Sequence, residues 1–412
     1  MPDVGYPAGL MNPFRPGAGH MPVFLAGREE EKKEFQRLLE QTLILENLVL
    51  TGLRGLGKTV LLETFKPMAV HAGWLWAGTD LSESASITEE NLAIRILADI
   101  SVVTSSIQTG VEYHNSIGLA ASIETVERHL DFQALMQIYA ETPGLISDKL
   151  KQVLETVWKY LSASGKRGIV FAYDEAQNLA DHKAKDQFPL SLLLDVFQSI
   201  QKKDIPFMLA LTGLPTLLPK LVHARTFAER MFRVVSLDPL SKEETVLAIS
   251  VPTKGHRIRF SQEAMNRVWE VTAGYPYFIQ YICRETYDVW LQALSEGGTP
   301  GVMPIESILR KLDTDFFAGR WARATDRQRQ LLTIVAELPN CDREFTVQEI
   351  VEHEDNQDQE KPFTGSHVNQ MLVTLTDAGL TYKNRHGKYS FAVPLMGNFI
   401  RRQSSSQHLV LD

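Results

Sequence analysis

Hydrophobic and polar positions follow two alternating patterns over the first 240 residues. Short unbroken apolar runs are followed by longer segments whose apolar residues recur every three to four positions, as they do in a helix with one buried face. In AGREEEKKEFQRLLEQTL, for example, Phe35, Leu38, Leu39 and Leu43 have this helical spacing. Strands that alternate with helices predict a parallel sheet with helices on its faces, which is an α/β fold. The predicted strands are NLVLTG, GWLWAGTDL, RGIVFAYDEAQNL, PFMLALTGLP and FRVVSLDPLS.

The segment 101–130 departs from this pattern. It is rich in β-branched and small polar residues and contains two glycines. This composition predicts a hairpin-like insertion in the α/β core.

Strand patterns stop near Ser241, and the next three segments all have helical spacing. A Gly- and Pro-rich linker, SEGGTPGVMP, follows them. Beyond it the pattern predicts one long helix over 308–338, two shorter helices, and two strands around a turn at NRHG. The predicted organisation is an extended arm over 1–23, an α/β core over 24–240, a helical lid over 241–300, and a linker helix with a small terminal domain over 301–412.

Composition narrows the class of protein. The chain has 412 residues, 44% of them hydrophobic, which is enough for two or three domains with a sizeable core. It contains no apolar run long enough for a membrane span and no secretory leader at its N-terminus. A net charge of −8 gives no general attraction to nucleic acid or to anionic lipid. The two cysteines match no metal-binding spacing, so we expect reduced thiols in a cytoplasmic protein.

The segment GLRGLGKT carries the clearest chemistry. Gly52, Gly57, Lys58 and Thr59 fit the phosphate-loop pattern G-x-x-x-x-G-K-[ST], between a predicted strand and a predicted helix. Glycines let backbone N–H groups turn toward a phosphate, and the helix N-terminus favours its negative charge. Lys58 is predicted to reach the β- and γ-phosphates, and Thr59 to coordinate Mg²⁺. The nucleotide-binding residues predicted on this loop are Gly52, Gly55, Gly57, Lys58, Thr59 and Val60.

A second strand, GIVFAYDEAQNL, ends in two acids. We expect Asp174 to hold Mg²⁺ and Glu175 to orient or activate the attacking water. The alternative is a strand that ends in solvated acids. Thr212, at the end of the next strand, either lies beside the γ-phosphate or caps a turn.

The order of these segments, followed by ERMFRVVSLDPLS and by helices with GYP, resembles the AAA+/STAND group of P-loop ATPases. The closer resemblance is to archaeal-type ATPases and to replication-initiator-like (Orc/Cdc6-like) members, which share the N-terminal segments NPFRPG and GRE. It covers roughly Asn12 to Arg402. It implies an ATP-hydrolysing P-loop core of the AAA+ type, an α-helical lid and a C-terminal winged-helix domain.

The resemblance also implies roles for individual residues. Arg28 would lie near the adenine, and Pro276 would match the lid proline that packs near the base. Arg230 would be an arginine finger that reaches the γ-phosphate of a neighbouring subunit, with Arg225 and Arg233 as alternatives. Arg230 is otherwise interpreted as a surface charge.

Two arginines of the family are absent. GYPYFIQ contains no sensor arginine, and Arg284 comes a turn or more too late. The arginine that follows the sensor threonine in STAND proteins is replaced by Gly213. Both absences favour a slow switch over a fast motor.

Charge in the terminal domain bears on DNA binding. The helix TGSHVNQMLVTLTDAG, which would enter the major groove, contains no Lys or Arg. Basic residues occur in the wing, as Lys383, Arg385 and Lys388, and at the end of the chain, as Arg401 and Arg402. Because cations supply much of the affinity for DNA, this distribution favours protein docking or autoinhibitory packing over DNA contact.

Three functions remain open. The first is an ATP-dependent regulatory switch that acts through a protein partner or self-assembly. The second is a DNA-associated AAA+ assembly factor of the replication-initiator or transposition-regulator type. The third is a scaffold whose nucleotide is structural. A small-molecule kinase is disfavoured, because no Arg-rich lid is present to hold a second phosphorylated substrate.

Overall fold

The computed structural model describes residues 11–81, 88–115, 123–357, 361–385 and 387–408. The chain folds into two compact units. The sheet unit comprises residues 29–52 and 58–236, and the helical unit comprises residues up to 28, 53–57 and from 237 onward.

The sheet unit is built on five parallel strands in the order β2-β5-β6-β1-β7. Every residue of β1, β5 and β6 is buried, because strands covered on both faces take continuous apolar sequence. All five strands predicted from apolar runs are present. They are β1 (Asn47–Thr51), β2 (Trp74–Ala77), β5 (Gly168–Tyr173), β6 (Phe207–Gly213) and β7 (Phe232–Ser236).

The strand register places three chain segments at one edge of this sheet. β6 lies between β1 and β5, with Leu50 opposite Thr212 and Tyr173 opposite Leu211. The carboxyl ends of β1, β5 and β6 are therefore neighbours. In open α/β sheets this edge is where ligands bind.

Helices cover the sheet with their apolar faces. Phe171 of β5 packs edge-to-face on Phe197 of α6, with 4.9 Å between the ring centroids. Burial of each such side chain stabilises the fold by about 1.5–3 kcal/mol. The helices of this unit are α1 (Glu29–Leu39), α2 (Lys58–His71), α3 (Glu89–Thr104), α4 (Phe132–Glu141), α5 (Ile146–Ala163), α6 (Pro189–Gln201), α7 (Leu217–Ala224) and α8 (Ala228–Met231).

A separate antiparallel pair, β3 (Gln108–Asn115) and β4 (Ile123–His129), lies in the segment predicted as an insertion. Residues 116–122 of that segment lie outside the described residues. The prediction that the insertion begins at residue 101 was wrong, because α3 continues to Thr104. The β-branched Thr104 suits a helix end here, since its buried hydroxyl donates to the carbonyls of Ile100 and Leu130 at 3.1 and 2.7 Å.

The helical unit begins with the three predicted lid helices. Ser241 and Glu244 form a reciprocal capping box at the start of the first of them. The N-terminal segment packs on the third, where Asn12 Nδ2 donates to Asp288 Oδ1 at 2.7 Å and Phe14 is buried against Phe260 and Tyr287. The lid helices are α9 (Lys242–Ser250), α10 (Gln262–Thr272) and α11 (Pro276–Ser295).

The single long helix predicted over 308–338 was wrong. The structure has α12 (Ile305–Leu312), a π-helical turn (Asp313–Ala318), α13 (Gly319–Trp321) and α14 (Asp326–Glu337). The predicted helix cannot continue through Thr325, because the extended backbone of this residue and its capping box with Gln328 begin a new helix.

A three-stranded antiparallel sheet in the order β8-β10-β9 and four helices complete the helical unit. The order of its elements matches the predicted winged helix. They are β8 (Phe345–Thr346), α15 (Val347–Glu352), α16 (Glu354–Gln357), α17 (Gly365–Asp377), β9 (Thr381–Arg385), β10 (Lys388–Phe391) and α18 (Met396–His408).

Two further findings bear on the class of protein. Among the described residues, no helix combines the length and the apolar character needed to cross a bilayer. Cys283 and Cys341 are both buried free thiols.

Candidate phosphate and metal site

Lys58 begins α2 directly after the Gly-rich loop. Its Nζ donates to the carbonyl oxygen of Gly52 at 2.9 Å, and the residue is only 9% exposed. The ammonium group is therefore held at the loop rather than in solvent. Gly57 has φ +86°, and a Cβ on it would point into open space, so the loop leaves room beside this backbone for a ligand. Val60 follows in the first turn of α2 and accepts at its carbonyl from Thr64 Oγ1 at 2.8 Å.

The buried carboxylate of Asp174, at the end of β5, accepts several hydrogen bonds. It is 4% exposed. Its Oδ2 accepts from Thr59 Oγ1, and its Oδ1 accepts from Thr212 Oγ1 and from the backbone N–H of Glu175. Three of the predicted site residues are thus joined directly to Asp174.

The donor set suits Mg²⁺. A hydroxyl and a carboxylate are hard oxygen ligands, and Mg²⁺ in nucleotide sites usually takes one or two protein oxygens together with phosphates and water. Within the described ranges, no cluster of three or more His, Cys, Asp or Glu could hold a metal ion. Thr59 and Asp174 are residues that could hold such an ion together with a phosphate ligand.

Glu175 has an unusual backbone. Its φ of 51° and ψ of 33° lie in the left-handed region, which a residue with a side chain occupies at a cost of about 1–3 kcal/mol. Such conformations cluster at functional sites. The side chain is exposed and accepts a hydrogen bond from Gln177 Nε2.

Gln177 was missed in the sequence, because nothing in AYDEAQN distinguishes it from any polar residue of a short turn. Its Oε1 accepts from the backbone N–H of Leu214 at 3.1 Å, beyond the end of β6. Its carbonyl accepts from Lys220 Nζ at 2.8 Å, and burial lowers the pKa of that ammonium group. Gln177 thus connects Glu175 to the segment that follows Thr212.

The three residues considered as a possible arginine finger differ in their surroundings. Arg225 makes a bidentate pair with Asp195, with nitrogen to oxygen distances of 2.7 and 2.6 Å. Arg233 pairs with Glu34 at 3.0 Å. Arg230, on α8, is exposed and makes no side-chain hydrogen bond or ion pair with any described residue. Of the three, only Arg230 is available to a partner.

Arg28 and Pro276, which the resemblance assigns to the base, lie in the helical unit. The buried guanidinium of Arg28 donates to the carbonyls of Leu56 and Asp238 at 3.1 and 3.0 Å, so it supports the middle of the loop. Pro276 is the first residue of α11. The next residue, Tyr277, donates its backbone N–H to the carbonyl of Gly55 at 3.2 Å.

The basic residues of the terminal domain are only partly available for DNA. Lys383 is exposed on β9 and Lys388 is half-buried on β10, while the side chain of Arg385 lies outside the described residues. Arg402 Nε donates to the buried carboxylate of Asp313 at 2.9 Å. Arg401 approaches Asp342 at 3.8 Å. The two arginines near the end of the chain are therefore engaged within the protein.

The strand order, the loop after β1, the acid after β5, the helical lid and the terminal winged helix define the AAA+ type of P-loop ATPase fold. The chain is similar to the Walker-type ATPase PABY2304 of Pyrococcus abyssi, with 16% identity over 92% of this chain and 96% of that one, and a TM-score of 0.56. It is also similar to the ORC2 protein of Aeropyrum pernix, with 12% identity over 95% and 98% of the two chains and a TM-score of 0.50. The predicted fold class is thereby confirmed.

The sequence was also compared with protein-family models and with curated proteins. A family model described as "Domain of unknown function (DUF8462)" matches residues 314–400, the part of the chain that holds the winged helix. No curated protein matches the sequence.

Proposed function

We propose that this protein binds ATP with Mg²⁺, hydrolyses it slowly to ADP and phosphate, and uses the change of nucleotide to switch its interaction with a partner. One observation carries the proposal. The buried carboxylate of Asp174 is hydrogen-bonded both to Thr59, at the end of the phosphate loop, and to Thr212, at the end of the adjacent strand.

Each residue has a role that follows from its position. The backbone of Gly52, Gly55 and Gly57, together with Lys58, binds the phosphates. Thr59 and Asp174 would hold Mg²⁺, which when bound neutralises charge that develops on the phosphates. Glu175 orients the attacking water and accepts its proton. Thr212 fixes Asp174 and marks the position of the γ-phosphate.

Two features favour a switch over a motor. The lid has no arginine directly after GYP, so one of the cations that accelerate hydrolysis in this fold is absent from its usual segment. The backbone contacts of Gly55 and Leu56 also lie in the same compact unit as the C-terminal domain. A change of loop conformation can therefore be transmitted through that unit.

The nucleotide assignment has support from a solved structure of similar fold. The ORC2 protein of Aeropyrum pernix is described in ADPNP and ADP complexes. We propose the same class of ligand for this chain.

The test combines nucleotide binding with turnover. We expect ATP to bind the wild-type chain in the presence of Mg²⁺ and to be hydrolysed with a low turnover number. Lys58→Ala should abolish binding, and Lys66→Ala, a matched change at an exposed lysine of α2, should not. Glu175→Gln should retain binding and lose turnover, while Glu63→Gln, at an exposed glutamate of α2, should behave as wild type.

Two outcomes would overturn parts of this proposal. Tight ATP binding by Lys58→Ala would exclude the phosphate site. ATP binding without turnover in the wild-type chain would leave a scaffold with a structural nucleotide. Mass measurement with ATP and with ADP would then show whether the nucleotide controls self-assembly.

A DNA-associated assembly factor is the second candidate. The exposed Lys383 of the wing and the exposed Arg230 favour it, because one could contact a phosphate backbone and the other a neighbouring subunit. Against it, α17 contains no Lys or Arg.

Duplex DNA titrated at low salt with ATP tests this candidate. Loss of binding on Lys383→Glu, with binding retained by Lys66→Glu, would support it. Absence of any DNA retention by the wild-type chain would exclude it.

A further inference from the structure

The first turn of α11 contacts the tip of the phosphate loop. Tyr277 donates its backbone N–H to the carbonyl of Gly55 at 3.2 Å. A Cβ on Gly55 would lie only 3.2 Å from Tyr277 Cβ, so a side chain at Gly55 would crowd this contact. The backbone and Cβ of Tyr277 thus lie directly beside the loop.

Aromatic contacts connect this point to the segment that leads into the C-terminal domain. The rings of Tyr277 and Phe316 have centroids 5.3 Å apart, and Phe316 also packs edge-to-face on Phe278 at 5.2 Å. Phe316 belongs to the π-helical turn between α12 and α13. The turn that interrupts the predicted long helix is therefore packed against the residue that contacts the loop.

Arg320, on α13, is held over this aromatic pair. Its Cζ lies 4.3 Å from the centroid of the Phe316 ring, and its Nη1 donates to the carbonyl of Phe316. The cation–π contact and the hydrogen bond restrict the guanidinium to one region. Arg320 is half-buried, so its charge is partly removed from water.

Two more guanidinium groups act on the charge of Arg320. Arg54 is an exposed residue of the loop itself, and Arg323 follows α13. Burial and the like charges of Arg54 and Arg323 together lower the pKa of Arg320. None of the three is paired with a carboxylate among the described residues. Cations gathered without a counter-charge are unfavourable, and a bound anion relieves the repulsion.

Arg284 is the arginine that α11 itself offers. Its side chain approaches Asp288 at 3.9 Å, and its backbone carbonyl accepts a hydrogen bond from Asn12 at 3.0 Å. Arg284 is therefore close to a carboxylate of its own helix.

We propose that Arg320 binds the terminal phosphate of a nucleoside triphosphate held by the loop, with Arg54 as a second cation. The segment that joins the lid to the C-terminal domain thus supplies a cation that GYPYFIQ lacks. Loss of the terminal phosphate removes the ligand of Arg320, and the C-terminal domain responds to that loss. This inference rests on the proposed function, because it requires that the loop bind ATP.

The experiment compares ATP and ADP affinity for Arg320→Gln, which removes the charge, with the wild-type chain. We expect ATP affinity to fall about tenfold or more, as loss of a charge-assisted hydrogen bond predicts, and ADP affinity to change less than threefold. Arg310→Gln, at an exposed arginine of α12, is the matched control and should bind both nucleotides as wild type does. Arg54→Gln should weaken ATP binding in the same direction as Arg320→Gln.

The possible outcomes test the role of Arg320 and the proposed function separately. If the wild-type chain binds ATP and Arg320→Gln binds it equally well, the role of Arg320 is excluded and the proposed function stands. Equal loss of ATP and ADP affinity would mean that Arg320 only supports the local structure, which also overturns the inference. Failure of the wild-type chain to bind ATP would refute the proposed function itself. Arg320→Lys, which keeps the charge, should retain part of the preference for ATP and provides a second variant should the Gln substitution impair folding.

Discussion

The hydroxyl of Thr59 donates a hydrogen bond to Oδ2 of Asp174, although 115 positions separate the two residues in the chain. The contact follows from the sheet order, since only β6 lies between β1 and β5. It places a hydroxyl and a buried carboxylate where a single Mg²⁺ ion can use both, directly or through water.

Thr59→Ala should weaken ATP binding in the presence of Mg²⁺ by about tenfold, which corresponds to 1.4 kcal/mol. Binding measured with EDTA should be nearly unchanged, because the lost interaction is with the metal. Titration of both proteins under the two conditions tests this. Thr156→Ala, at a half-buried threonine of α5, is the control. A variant that loses affinity equally with and without Mg²⁺ would contradict the metal assignment.

The contact between Thr212 and Asp174 leads to a prediction about the free energy of unfolding. Thr212 is fully buried and donates to a buried carboxylate, so Thr212→Val leaves that carboxylate with one donor fewer. The free energy of unfolding should fall by about 1–3 kcal/mol. Thr51→Val provides a contrast within the same unit, because the buried hydroxyl of Thr51 makes no hydrogen bond to a described residue. That change should be neutral or stabilising in urea unfolding, and an equal loss in both variants would show that the hydrogen bond contributes little.

The five strands of the parallel sheet were predictable because each lies in a short, largely apolar run. Asp174 and Thr212 were singled out at the ends of two such runs, and the loop was singled out from its glycines and Lys58; their functional roles stay predictions. Contacts that depend on tertiary packing could not be predicted. Gln177 has no local signal, and its position depends on the end of β6.

The break near Thr325 illustrates the same limit. Apolar spacing continues across it, so periodicity predicts one helix. The capping box of Thr325 and Gln328 nevertheless begins a new helix at this point. The preceding π-helical turn is stabilised by packing of Phe316 and Phe317 on Phe278. The role proposed for Arg320 could not be predicted for the same reason, since its contacts with Phe316 depend on that turn.

The contacts of Gln177 lead to a prediction about the rate of ATP hydrolysis. Its side-chain amide donates to Glu175 and is itself held by Leu214, so it limits the directions that the carboxylate can take. Gln177→Leu should lower kcat for ATP hydrolysis about threefold to tenfold and leave KM unchanged, because substrate contacts are intact. Steady-state assays with Gln152→Leu, at an exposed position of α5, as the control would measure this. A higher kcat would instead show that Gln177 restrains Glu175 from reaching water.

The reaction rate of the two buried thiols, measured as a function of pH, reports how readily the helical unit opens. Burial raises the pKa of both Cys283 and Cys341 above the ordinary thiol value. A raised thiol pKa reduces the thiolate fraction at any given pH, so native protein at pH 8 should react with iodoacetamide far more slowly than unfolded protein. The rate should rise as pH increases toward the raised pKa values. Native labelling as fast as that of the unfolded chain would show that the helical unit opens readily.

Arg230 makes the prediction that bears most directly on assembly. Because Arg225 and Arg233 are paired with carboxylates, Arg230 is the arginine of this group that a neighbouring subunit could use. Arg230→Ala should leave the melting temperature unchanged, since the exposed side chain makes no hydrogen bond or ion pair with a described residue. It should lower hydrolysis at least tenfold where the chain self-associates. Mixing it with Lys58→Ala should restore activity, because one variant supplies a competent nucleotide site and the other an intact Arg230. Each variant alone remains inactive at the same total concentration. Failure of the mixture to recover activity would mean that Arg230 is a solvated surface charge and that hydrolysis is completed within one chain.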